Sequence, residues 1–222
     1  MKRLFIVLSC IAASAIVGCK ESSSPTQPAG TTLEVVVKSN LSPSAQDGWL
    51  YYSFDKDTAI NPSSRDGADW DVKFRYVPYD TSQAGIGYFI AVYTQLGPMF
   101  FNSGTVNPNG QTQAALLKVP FDSLYDATPY LSKLRNDDTS ASNRIVPVLS
   151  MSESSYFGYT GPPRHAVTIN PNMTFLVRTK SNRYVKFQLL SIYKDAPTTP
   201  DYRSVTNYYT IRYVKGDGTR LR

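Results

Sequence analysis

The chain carries a single histidine, His165, in Gly161-Pro162-Pro163-Arg164-His165. A neutral imidazole can ligate a transition metal through one nitrogen while a neighbouring group orients the other. One histidine excludes a two-His metal site, and Ser-His or Cys-His catalysis would rest on that residue alone. The competing reading of His165 is an exposed loop residue. Thioether sulfur is the other soft donor. Met151 follows an apolar run and precedes a serine-rich loop, which gives it room to ligate, whereas Met173 opens a strand, where methionine usually packs. Asp66, Asp69 and Asp71 crowd one turn, but their spacing does not match an EF-hand loop, so turn chemistry is expected in place of calcium. Nothing singles out an acid and base pair among the 17 Asp and Glu residues, and no enzyme is expected.

A third group with chemistry is a thiol. Lys2 and Arg3 precede the apolar run Leu4 to Val17, which is too short to span a bilayer comfortably, and Ile16-Val17-Gly18-Cys19 looks like the lipobox of a bacterial lipoprotein. Residues 1–18 are then a signal peptide, Cys19 takes the lipid and Cys10 leaves with the signal, so the mature chain has no disulfide. Residues 19–32 form a polar tether holding Ser, Thr, Pro and Gly, about 45 Å at full stretch. The start Lys20-Glu21 resembles export signals of surface lipoproteins, so the expected address is the outer membrane of a Gram-negative bacterium. Losing Lys2 and Arg3 takes the net charge from +6 to +4. Nucleic acid is not an expected partner at that address.

These residues must be positioned by strands. Sixteen Tyr, ten Phe and many β-branched residues favour sheet, and fifteen Pro with thirteen Gly punctuate it often. The expected fold is all-β: residues 33–222 as one domain of packed antiparallel sheets, a β-sandwich. Its centre is a hairpin in which Phe175 and Val177, then Val185, Phe187 and Leu189, alternate with Thr174, Arg178, Lys186 and Gln188. Period two predicts that the first set is core and the second meets water, with the Arg178-Lys180-Arg183-Lys186 group around a solvated tip. Further strands are expected at residues 33–38, 49–54, 70–77, 87–94, 114–119, 145–150, 166–170 and 208–214. A short helix is expected near residues 129–135.

Seven separated motifs fall in one order: Trp49-Leu50-Tyr51-Tyr52-Ser53-Phe54, Asp69-Trp70-Asp71-Val72-Lys73-Phe74-Arg75, Asn102-Ser103-Gly104-Thr105, Phe121-Asp122-Ser123-Leu124, Phe175-Leu176-Val177-Arg178-Thr179, Tyr184-Val185-Lys186-Phe187 and Tyr209-Thr210-Ile211-Arg212-Tyr213. Behind a lipobox, this set resembles the HmuY-like family of haem-binding lipoproteins. The resemblance implies an all-β domain that grips haem in a cleft at one end and passes it to an outer-membrane receptor. It also implies axial ligands, a pair of His or Met residues on loops before the hairpin, which points to His165 and Met151. Ungapped counting from Arg178 puts the family's ligand position on Gly161. The chain also has extra residues at 76–101. A second reading therefore stays open, a non-catalytic surface lipoprotein using the scaffold for adhesion or for a protein or glycan partner, without haem.

Overall fold

The computed structural model describes residues 32–62, 65–77, 99–148, 150, 152 and 154–222. Thr32–Arg222 forms one compact unit. Its strands, in chain order, are β1 (Val35–Leu41), β2 (Trp49–Ser53), β3 (Thr58–Ile60), β4 (Val72–Arg75), β5 (Met99–Phe101), β6 (Gln113–Leu117), β7 (Phe157–Tyr159), β8 (Val167–Ile169), β9 (Thr174–Arg178), β10 (Tyr184–Tyr193) and β11 (Thr206–Lys215). A five-stranded sheet has the order β1-β11-β10-β9-β6, a four-stranded sheet β3-β2-β4-β5, and β7 pairs with β8 alone. Every pairing is antiparallel. The all-β fold is as the sequence implied.

Period-two alternation builds the main core. Tyr52, Phe54, Val72, Phe74, Met99 and Phe101 from the four-stranded sheet join Phe175, Val177, Val185, Phe187, Leu189, Tyr209, Ile211 and Tyr213 from the five-stranded one. Rings bridge the sheets: Phe54 to Phe187 at 5.3 Å, Phe101 to Phe175 at 5.4 Å and Phe74 to Tyr209 at 5.0 Å. The β9–β10 hairpin sits in the middle, with Phe187 fully buried.

Its other face does not meet water, contrary to the alternation argument. Leu176, Ala115 and Leu117 form a second cluster with Leu124, Ala127 and Leu221, under a segment with 3-10 helices at Phe121–Ser123 and Thr128–Lys133. Lys186 is 4% exposed; its Nζ donates to the carbonyls of Phe121 and Leu124 at 3.0 and 3.1 Å and lies 4.5 Å over the Phe121 ring. Buried Gln188 donates to the carbonyls of Pro171 and Met173 and accepts from Arg212 Nε. A cation and an amide point from the sheet because the covering segment and the turn before β9 bring carbonyls that need donors.

Two further expectations change. No strand forms among the described residues of 145–150: buried Ile145 instead gives its amide to Asp137 Oδ1 at 2.7 Å, a side-chain acceptor in place of a ladder. The end of the supposed insertion, Met99–Phe101, is a scaffold strand paired with β4, and the expected strand at 87–94 lies outside the described residues. The aspartate turn is structural. Asp71 accepts from the Phe54 amide and from Thr112 Oγ1, while Asn102 and Asn107 both donate to the Gly67 carbonyl. A Cβ at Gly110 would fall 2.6 Å from Asn102 Oδ1, so this network requires glycine there.

Candidate functional site

The two ends of the sandwich differ. At the hairpin end, Ser181 Oγ and Thr179 Oγ1 donate to Asp55 at 2.8 and 3.3 Å, Tyr213 donates to Asp57 at 2.7 Å, and Lys215 pairs with Asp57. These bonds close the β2–β3 turn over the β9–β10 tip. At the opposite end lie the β7–β8 loop and the loop after β10. Arg164 links them by donating from Nε and Nη2 to the Pro200 carbonyl at 3.3 and 3.2 Å.

His165 belongs to this second end. Its loop is closed by Thr160 donating to the Ala166 carbonyl at 2.9 Å and by the His165 amide donating to Gly161 at 2.8 Å. Gly161 and His165 both have positive φ, +65° and +49°. The left-handed backbone at His165 folds the side chain back under its own loop, where it is 9% exposed. There Nδ1 is hydrogen-bonded to the Tyr159 hydroxyl, which stands at the end of β7. Burial raises the Tyr159 phenol, so this oxygen keeps its proton.

That contact has two tautomeric forms. With the imidazole proton on Nε2, the phenol donates to Nδ1. With the proton on Nδ1, the ring donates to the Tyr159 oxygen and Nε2 carries the lone pair, the form that ligates a metal. The loop stands on a firm base, since Val167 N donates to the Tyr193 hydroxyl at 2.8 Å and Leu189 N to that of Tyr156 at 3.3 Å. The rings of Tyr156 and Phe157, just before the loop, are 1% exposed and pack in the main core, Tyr156 4.9 Å from Phe175. A groove of about 520 Å3 runs beside the loop, lined by Ser154, Thr160, Arg164, Thr168, Ile169 and Asn170 among others; His165 does not line it.

The described residues thus offer one imidazole with a nitrogen held by a hydroxyl. A second axial ligand is not brought beside His165 by the described residues, since Met151 lies outside them and Met173 packs, partly buried, against the core. No group of three or more His, Cys, Asp or Glu side chains gathers as a metal site among the described residues. Cys19 also lies outside them. No local pattern in the sequence signals Tyr159; its antiparallel pairing with Val167 is what carries its hydroxyl to His165.

No curated protein matches the chain. Two solved structures resemble it at 12% identity. One is a candidate lipoprotein from Bacteroides fragilis NCTC 9343, with a TM-score of 0.39 and 81% of this chain and 87% of that chain covered. The other is a candidate HmuY-like heme binding protein from Bacteroides vulgatus ATCC 8482, with a TM-score of 0.38 and 81% and 90% covered. The HmuY protein family matches residues 45–213, from just before β2 to near the end of β11, and the chain belongs to that family.

Proposed function

We propose that the chain is a lipid-anchored, extracytoplasmic binding protein that takes haem, or a related hydrophobic ligand, at the His165 end, and that its role is binding and not catalysis. The signal at 1–18, lipid on Cys19, the tether 19–32 and an outer-membrane address, with an outer-membrane receptor as the next partner, complete the reading. The observation that carries it is the Tyr159 bond to His165 Nδ1, which orients the imidazole and selects Nε2 as the ligating atom once the proton rests on Nδ1. Bound haem would supply the iron that accepts this lone pair. Met151 is the residue proposed for the opposite face. Because His165 is tucked under its loop, ligation requires residues 161–166 to open.

That same burial favours the second reading, in which His165 braces the loop and the scaffold holds a protein or glycan partner. Titration of the purified chain lacking residues 1–19 with hemin separates the two. A saturable Soret band of low-spin shape, lost in His165→Ala, supports haem binding; a wild-type spectrum no different from free hemin rejects it.

A further inference from the structure

The two edges of the five-stranded sheet are unlike. The β6 edge is covered, because Ala114 and Arg135 exchange backbone hydrogen bonds at 3.1 and 3.2 Å. The β1 edge is bare: among the described residues β1 pairs with β11 alone. It is also long, seven residues against three each for β3 and β5, the edges of the other sheet. Val36 packs against the main core, while Val35 and Val37 on the opposite face are 49% and 54% exposed. An unpaired, β-branched strand with exposed apolar residues is a template for another strand.

We infer that this edge pairs with β1 of a second copy, antiparallel about a twofold axis through Val36, so that two five-stranded sheets join into one. The charge pattern selects this occupant. With Val36 opposite itself, Glu34 faces Lys38 of the second copy and Lys38 faces its Glu34, two opposite-charge cross-strand pairs from one self-complementary sequence. Val35 and Val37 then lie opposite each other twice, and four exposed valines become one apolar patch. The pairing has a natural end. The β1–β11 register shifts between Lys38 and Leu41, where Asn40 takes a positive φ and bonds Asp195 through its side chain at 2.8 Å. Anchoring permits it too. With Val36 opposite itself, the residues 34 of the two copies stand about 13 Å apart, and tethers reaching about 45 Å each bring both to one bilayer.

Cysteine cross-linking of the full chain tests the register. Residues directly opposite have Cα atoms about 4.5 to 5.5 Å apart, within disulfide reach. Val36→Cys should therefore form a disulfide dimer under mild oxidation. Ser39→Cys and the parent chain should not, since residues 39 of the two copies would stand about 20 Å apart. In the Val36→Cys background, Glu34→Lys should lower the dimer yield roughly fivefold, and adding Lys38→Glu should restore it. Glu34 is exposed, so Glu34→Lys leaves the fold intact. A Val36→Cys chain that stays monomeric, equal cross-linking at positions 36 and 39, or a yield indifferent to Glu34→Lys would each overturn the proposal.

Discussion

Tyr159→Phe keeps the ring that packs beside His165 but removes the oxygen bonded to Nδ1. If His165 ligates iron, losing its orienting partner should weaken hemin binding roughly 10- to 100-fold, with the spectrum shifted toward that of unligated hemin. An unchanged affinity would make the contact a loop brace only. A second residue-scale effect concerns pH. Burial drives the Asp71 carboxyl up to about 6, against the hydrogen bonds from the Phe54 amide and Thr112. The folded pKa lies above the unfolded one, so the native state holds the proton more tightly. The associated stability is present below about pH 4 and is lost as pH rises through 6, on the order of 2 to 3 kcal/mol. Asp137 is also raised by burial and acts in the same direction. Asp71→Asn should therefore flatten, without abolishing, the fall in urea midpoint between pH 4 and pH 7; an unaltered slope would show that Asp71 does not carry it.

The hairpin β9–β10 is where the element scale departs most from one-dimensional reasoning. Alternation places Phe187 inward, and its ring meets those of Phe54, Phe74, Phe101 and Phe175. Phe187→Ala should cost about 3 to 5 kcal/mol. Alternation alone would make Lys186→Ala nearly silent. The structure instead predicts a loss of about 1 to 3 kcal/mol, because the carbonyls of Phe121 and Leu124 would lose their donor under the covering segment. Denaturation midpoints of the two variants against the parent check both values; a Lys186→Ala midpoint equal to the parent would mean that water replaces the ammonium there. The same burial lowers the Lys186 pKa, as expected for an ammonium taken out of water. The 3-10 turn at Thr128–Lys133 was legible from composition because proline and short polar runs are local signals. The Phe157–Tyr159 strand was not, since three residues cannot show a period.

For the whole molecule, anchoring gives the sharpest test of address. Cys19→Ser should abolish incorporation of a labelled fatty acid, since serine has no thiol and the tether is too polar to enter lipid; label retained in the variant would reject Cys19 as the acylated residue. The sequence by itself determined which side chains face the main core. Alternation along Phe175 to Val177, Val185 to Leu189 and Tyr209 to Tyr213 is a property of neighbouring residues, and three of the seven ordered motifs lie on those strands. What faces the other side of the same strands was decided only by tertiary structure. Lys186 is buried by residues more than 60 positions earlier. The same holds at His165. Its type was plain in the sequence, but its partner and its burial depend on the β7–β8 pairing and a left-handed backbone angle, long-range and local geometry that no periodicity encodes.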